Sequence, residues 1–442
     1  MDMTPKQIVE YLDDYIIGQK DAKKTIAIAL RNRYRRMQLE KDMQDEIMPK
    51  NILMIGSTGV GKTEIARRMA KMMGLPFIKV EASKYTEVGY VGREVESMVK
   101  DLAHESVNMI TREYEDKIKN KIDQEVIKQI VEILVPPLPE SASENAKESF
   151  IKTYNIMEKK VLSGDMDDKK ITIELPKRTH VEILDSNVPM DMSAISDSIN
   201  NMMGKLGKEK IQKEVSIKEA KKLLRGAASD NLLDKEALQN DAIDRCENGG
   251  IIFLDEIDKI ATGANKQNSD PSKEGVQRDL LPIVEGSSVH TKYGQIKTDH
   301  ILFIAAGAFH VSKPSDLLPE LQGRFPLRVE LNPLDEEALY KILTNTKNSL
   351  LRQYKALLDV EGVKLEFDDE AIRAFANLSV SANEKAEDIG ARRLHTVIEK
   401  VLEDISFEAD EHKGETITVT KELVNEKLQN IAANEDTARY IL

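Results

Sequence analysis

Tryptophan is absent from this 442-residue sequence, and aromatic residues make up only 5% of it. Surfaces that hold single-stranded nucleic acid stack bases on aromatic side chains, so no such surface is expected. The only cysteine is Cys246, which excludes an internal disulfide and a Cys-based zinc site. A chain without disulfides fits a reducing compartment. No apolar run reaches the roughly 18 residues of a membrane span, and no apolar signal-like segment opens the chain. Basic excess is also missing: 64 Lys and Arg face 77 Asp and Glu, for a net charge of −13. That balance disfavours a general nucleic-acid binder, though it leaves room for a local basic channel. His104, His180, His290, His300, His310, His395 and His412 are scattered, with no obvious Ser-His-Asp or H-E-x-x-H set. No peptidase centre is therefore expected. With 40% hydrophobic and 32% charged residues, the chain is expected to be soluble, cytoplasmic and globular, with two or three domains.

One stretch organises what is present. Gly56-Ser57-Thr58-Gly59-Val60-Gly61-Lys62-Thr63 reads G-x-x-x-x-G-K-T. A short apolar run, Asn51 to Ile55, precedes it, and Glu64 to Met73 follows with helix formers and apolar Ile65, Met69 and Met72. Strand, glycine loop and helix is the context in which this motif cradles phosphates. Glycines let backbone N–H groups turn toward the oxygens, and the new helix offers its N-terminus to the same anion. Lys62 is expected to reach the β- and γ-phosphates, and the Thr63 hydroxyl to hold Mg²⁺.

Gly250-Ile251-Ile252-Phe253-Leu254-Asp255-Glu256 supplies the second half of such a site. It reads as a buried strand ending in two carboxylates, at the end where open α/β sheets bind ligands. Asp255 is expected to order Mg²⁺ through its water shell and Glu256 to polarise an attacking water. The stretch between Lys62 and Asp255 is far longer than a compact nucleotide-binding core needs. The composition breaks near 109 and returns to regular pattern near 243. Residues 109–242 are therefore expected to form an inserted domain, 1–108 and 243–332 a discontinuous core, and 333–442 a small C-terminal domain.

The remaining segments read as follows. Thr4 and Pro5 open a helix, and Asp21 to Leu39 forms another that ends in Arg31, Arg33, Arg35 and Arg36. Those arginines are read as complements to the helix dipole in preference to nucleic-acid contacts. Pro76 to Ala82 is a second strand. Tyr85 to Gly92 places Tyr90 and Val91 between glycines, either as a mobile apolar loop tip or as a buried turn. Val107, Ile110, Tyr114, Ile118 and Ile122 mark one long amphipathic helix, broken by Pro136 and Pro137. Residues 140–170 read as polar and partly mobile. Ile171–Leu175 and His180–Leu184 alternate like strands, and 188–208 reads as a flexible, Met-rich segment. Val215 to Cys246 and Glu274 to Glu285 are expected to be helical, and Ile301 to Ala306 a buried strand. Arg324 sits in a Gly-Arg-Phe-Pro turn. Helices are expected at 335–359, 368–380, up to Phe407 after Gly390-Ala391-Arg392-Arg393, and at 421–432, with a strand at 415–420. Tyr440-Ile441-Leu442 either tucks back or docks into a partner.

Taken together, Ile16-Ile17-Gly18-Gln19, Gly56 to Thr63, Gly89-Tyr90-Val91-Gly92, Leu254-Asp255-Glu256, Glu320 to Arg324, Gly390 to Arg393 and the closing Arg-Tyr-Ile-Leu resemble AAA+ ATPases of the Clp/Hsp100 group. The resemblance covers essentially the whole chain. It implies an α/β fold: an AAA+ P-loop core with a parallel sheet, a mainly helical inserted domain and a small helical C-terminal domain. It implies ATP and Mg²⁺, a homohexameric ring and an unfolding activity that feeds an HslV-type threonine peptidase. Cofactor contacts would come from Ile17 at the adenine, from Gly59, Val60, Gly61, Lys62, Thr63 and Glu64 at the loop, and from Asp255. Arg324 would be an arginine finger reaching a neighbour's γ-phosphate, with Glu320 near it, and Arg392 a second sensor. Tyr90 and Val91 would grip an extended polypeptide in the pore, and Tyr440, Ile441 and Leu442 would enter the peptidase ring. No first-sensor residue is assigned at Ile304 to Ala308, where many such proteins carry Asn. Ser57 stands where Pro is common in the group, a change compatible with the backbone.

Three other readings compete. A ClpX-like unfoldase would carry a Cys-based zinc domain and an Ile-Gly-Phe docking loop, both absent. A nucleic-acid motor would need basic loops. A nucleotide-gated adaptor that does not hydrolyse ATP would not need Lys62, Asp255, Glu256 and Arg324 together.

Overall fold

The structure is a computed structural model that describes residues 3–86, 93–139, 143–176, 210–262, 271–385 and 388–432. Tyr90, Val91, the expected strand His180–Leu184, the Met-rich stretch and Tyr440 to Leu442 lie outside the described residues. The described chain divides into two compact units, Val107–Asp241 and Met1–Ser106 with Ala242–Leu442.

In chain order the strands are β1 (Ile52–Ile55), β2 (Phe77–Glu81), β3 (Lys170–Pro176), β4 (Lys210–Ser216), β5 (Ile251–Asp255), β6 (Ser288–Thr291), β7 (Gly294–Lys297), β8 (Leu302–Gly307), β9 (Leu327–Glu330), β10 (Lys364–Phe367) and β11 (Thr416–Val419). Five of them form one sheet, in the order β2-β5-β8-β1-β9, and every pairing in it is parallel. Its inner strands β5, β8 and β1 are short and almost wholly apolar because both faces are covered, whereas edge strands β2 and β9 carry charged residues. Leu53, Ile252, Leu254, Phe303 and Ala305 enter the core on one face. Ile52, Met54, Ile251, Phe253, Leu302 and Ile304 enter the core on the other, with Ile8, Leu12, Ile26 and Leu30 from the first two helices. Helix Pro5–Asp13 starts at Thr4 with a capping box closed by Gln7.

Four arginines were expected to decorate the end of the second helix, Lys20–Arg36. Arg33 corrects that expectation. It is buried, and its guanidinium donates to the carbonyls of Gly249 (3.3 Å), Gly250 (3.1 Å), Asn248 (2.9 Å) and His300 (2.5 Å). Burial pushes its pKa down, and the Arg36 charge adds to that. Arg33 staples the turn that leads into β5 to the segment that leads into β8. Its planar set of donors is the chemistry such a cluster of carbonyls requires.

Val107–Asp241 has its own core. Residues 140–170 depart from the polar, partly mobile expectation, since helix Glu144–Ser163 occupies most of them. Val161 is fully buried, and Tyr154 and Met157 pack against the same core, an apolar stripe hidden among lysines and glutamates. The expected long helix is interrupted at Ile118, so Ser97–Lys117 and Lys119–Leu134 are separate. β3 pairs antiparallel with β4, so Val215 lies in a strand and the helix starts at Ile217. The charged outer face of β4 masked its alternation.

At the other end, Leu339, Phe375, Leu394, Ile398 and Val419 belong to a third core. The expected helix 335–359 is two helices, Glu336–Thr344 and Leu350–Val360, because Ser349 caps the second through the Arg352 N–H. β10 and β11 pair in parallel there. Hairpin β6–β7 is unforeseen. Arg324 closes a short helix, Pro319–Arg324, where a turn was expected.

Candidate nucleotide site

β1 is flanked by β8 on one side and β9 on the other. The strand order reverses there, and the crevice beyond the carboxyl ends of such strands is where open α/β sheets take ligands. Gly56 to Gly61 occupy this crevice. Gly59 has φ +77° and Gly61 φ +105°, backbone shapes that side chains resist. Helix Lys62–Met73 starts directly after Gly61.

Lys62 Nζ turns back onto the loop and donates to the carbonyls of Gly56 and Ser57, the latter at 2.8 Å. Burial lowers its pKa, Asp255 and Asp258 oppose that, and Arg392 and Lys79 add to it. Thr63 is half-buried at the start of the helix. Glu64 binds Arg67 and Arg68, each at 2.6 Å. Burial raises the Glu64 pKa, but the two arginines outweigh it and hold the carboxyl below its usual value. Val60 is buried and Ile17 half-buried. The segment carrying Ile17 is fixed from below by buried Lys23, which donates to the Ile16 carbonyl and binds Asp13, both at 2.5 Å.

Asp255 ends β5, one strand removed from β1. Its Oδ1 accepts from the Glu256 N–H at 3.0 Å, and its Oδ2 lies 2.8 Å from Lys79 Nζ. Glu256 has φ +57°, ψ +34°, the left-handed region that a glutamate enters at a cost of about 1–2 kcal/mol. Its carboxylate accepts from Ser83 (3.1 Å) and pairs with Lys259 (2.9 Å).

From the C-terminal part, the turn Ile389-Gly390-Ala391 rests on the loop itself. The Ala391 N–H donates to the Gly59 carbonyl at 3.2 Å. A Cβ on Gly59 would stand 2.0 Å from the Ile389 oxygen, and one on Gly390 would stand 2.6 Å from the Thr58 oxygen. Two backbones touch where neither tolerates a side chain. Arg392 begins helix Arg392–Phe407 at this contact and is exposed. Arg324 and Glu320 stand elsewhere. Both are exposed on Pro319–Arg324, and Arg324 pairs with Glu285 at 2.9 Å.

The geometry thus sets Lys62 within electrostatic range of Asp255, Asp258, Arg392 and Lys79, and rests the Ile389–Ala391 turn on the glycine loop. Sequence reasoning passed over three side chains. Gln19 is buried against Asn332, Lys79 holds Asp255, and Asp258 accepts from the Phe309 N–H at 3.2 Å. Gln19 closes the quoted Ile-Ile-Gly-Gln motif and Asp258 follows Asp-Glu by two residues, so both carried a signal.

Comparison with known proteins bears on this geometry. Family profiles match three stretches: the ATPase family associated with various cellular activities (AAA) at 52–159, the AAA domain (Cdc48 subfamily) at 168–328, and the C-terminal, D2-small domain of ClpB protein at 334–425. The chain is 59% identical over 443 aligned positions to the ATP-dependent protease ATPase subunit HslU of Helicobacter pylori strain ATCC 700392 / 26695, covering 100% of this chain and 99% of that one. It is 60% identical to the subunit of the same name from Campylobacter jejuni subsp. jejuni serotype O:2, covering 100% of both. The chain belongs to the HslU family. It is therefore an AAA ATPase that binds ATP, and its mixed α/β architecture with a parallel five-stranded sheet is that of an AAA+ P-loop fold. Among the described residues, no helix is long and apolar enough to cross a membrane.

Proposed function

We propose that this chain is the ATP-driven unfolding ring of a two-component protease, a cytoplasmic homohexamer that threads unfolded or tagged proteins into an HslV-type peptidase. The observation that carries the reading is the meeting of the Gly56–Thr63 loop, the Asp255–Glu256 strand end and the Ile389–Ala391 turn in one crevice. The names of its relatives, ATPase subunits of an ATP-dependent protease, point to the partner.

Each step falls to a residue of this chain. The loop N–H groups and Lys62 bind the β- and γ-phosphates, exchanging the loop carbonyls that Lys62 now meets for phosphate oxygens. Ile17 flanks the adenine, and Gly59, Val60, Gly61 and Glu64 shape the cradle. Thr63 and Asp255 fit a magnesium ion, which takes one or two protein oxygens and fills the rest of its shell from phosphates and water. The donor set is a hydroxyl and a carboxylate, and when bound the ion would neutralise phosphate charge. Glu256 takes the proton of the attacking water, supported by its position beyond the sheet. Arg392 reads the nucleotide from the C-terminal domain, supported by the Ala391–Gly59 contact. Arg324, exposed and held only by Glu285 among the bonds described, is available to a neighbouring subunit as an arginine finger, with Glu320 beside it. Tyr90 and Val91 contact substrate in the pore, and Tyr440, Ile441 and Leu442 dock the peptidase. Residues 1–108 with 243–332, 109–242 and 333–442 act as core, inserted domain and small domain.

The test is ATP turnover and nucleotide binding in Glu256→Gln and Lys62→Ala. Glu256→Gln is expected to keep binding and lose roughly 10²–10⁴-fold in turnover. Loss of neither in both variants overturns the reading.

A further inference from the structure

Buried Gln19 joins three parts of the chain that the nucleotide site must coordinate. It closes the Ile16–Gln19 segment, and its own backbone is held at φ +54°. Its side-chain amide bonds Asn332 in both directions: Nε2 donates to the Asn332 carbonyl at 2.8 Å, and Oε1 accepts from the Asn332 N–H at 3.0 Å. The same Nε2 reaches the Val60 carbonyl at 3.5 Å, inside the glycine loop. Asn332 is followed by Pro333, where the chain turns toward the helices of its C-terminal part. A second link runs in parallel, since the Lys347 N–H donates to the Asp14 carbonyl at 2.9 Å and Lys347 Nζ binds Asp14 Oδ2 at 2.6 Å. A neutral amide of this length both donates to the carbonyl and accepts from the N–H of one residue; an ionised carboxylate or an aliphatic side chain does not.

We propose that Gln19 is a positioning residue of the nucleotide site. It locks the loop and the base-flanking segment to Asn332, so that a nucleotide in the loop and the angle of the C-terminal part are read through one buried amide. The proposal rests on the reading that Gly56–Thr63 holds the nucleotide.

Gln19→Glu tests it through pH. Ionised, the new carboxylate faces the carbonyl oxygens of Asn332 and Val60 and repels both. Protonated, it regains one donor and one acceptor and mimics the amide. Facing those oxygens in a buried place raises its pKa into the working range. The KM for ATP of Gln19→Glu is expected to stand about tenfold above wild type at pH 8 and to fall back toward it by pH 6. The wild-type KM over the same range is the baseline. Gln19→Met, with neither group, is expected to stay high at both pH values. Ile26→Val, a core change that lowers the thermal midpoint without touching the amide, is expected to leave KM at the wild-type value. If Gln19→Glu and Gln19→Met both match Ile26→Val at every pH, the proposal fails. If Lys62→Ala binds nucleotide as tightly as wild type, the loop reading fails instead, and the two failures are separable.

Discussion

Replacing Gly59 by alanine tests whether the backbone contact between loop and turn matters to nucleotide binding. Two costs add. At φ +77° an L-residue is disfavoured by about 1–2 kcal/mol. The new Cβ would also lie 2.0 Å from the Ile389 oxygen and 2.9 Å from its carbonyl carbon. Backbone atoms at that range have no flexible end to swing aside, so the turn must lift and the Ala391 to Gly59 hydrogen bond breaks. That bond contributes about 0.5–1.5 kcal/mol. Together they disfavour the closed arrangement by roughly 2–3 kcal/mol, a factor of about 30–150 in affinity if nucleotide binds only that arrangement. Gly390→Ala, with φ +55° and a 2.6 Å approach to the Thr58 oxygen, is expected to behave alike. Gly74→Ala separates the two costs, because Gly74 has φ +58° but nothing within 4 Å of its Cβ position. It is expected to lose about 1 kcal/mol of stability and to bind nucleotide normally. Titration with a fluorescent ADP analogue, alongside thermal unfolding without nucleotide, reads both effects. Wild-type affinity within twofold for Gly59→Ala would refute the reasoning.

Three further outcomes are expected. Arg33→Met removes the guanidinium from four backbone carbonyls, of which that of Gly250 keeps the Leu302 N–H, and costs roughly 3–5 kcal/mol, read by denaturant unfolding, and Arg33→Lys recovers only part. Cys246 is fully buried and its thiol is pushed up to about 12, so iodoacetamide at pH 8 labels it only after denaturation. His412 Nδ1 donates to the Glu415 carboxylate at 2.8 Å, and that bond raises the imidazole pKa above 6.5. Its stabilising effect is complete below pH 6.5 and fades as pH rises through the raised value. An NMR titration shows the raised value, which Glu415→Gln returns toward 6.5.

Motifs with rigid spacing were legible. Gly56 to Thr63 and Leu254-Asp255-Glu256 marked the ends of β1 and β5, because a phosphate cradle tolerates few residue types. Apolar runs such as Ile301 to Ala306 betrayed buried strands for the same reason. Arg33 was illegible because its partners are carbonyls, which carry no residue signature, and Asn248 and His300 lie far along the chain. Helix Glu144–Ser163 hid its narrow apolar stripe under charge, and β4 offered too few alternating residues to outvote helix-forming lysines. Gln19 stood in a motif already noted, yet its bond to Asn332 spans most of the chain and exists only once the fold brings them together. The contact of Gly59 with Ile389 was invisible likewise, since a glycine kept for a neighbour looks like one kept for its own φ.

The central claim is that ATP hydrolysis in this chain drives protein into a separate peptidase. Degradation of a stably folded, fluorescently labelled protein by an HslV-type peptidase measures it directly, with the full chain, Glu256→Gln, and a chain lacking Tyr440, Ile441 and Leu442. The account predicts degradation only with the full chain and ATP, while the truncated chain still hydrolyses ATP and Glu256→Gln does not. Degradation that proceeds equally with Glu256→Gln, or a peptidase that never responds to the full chain, would contradict it.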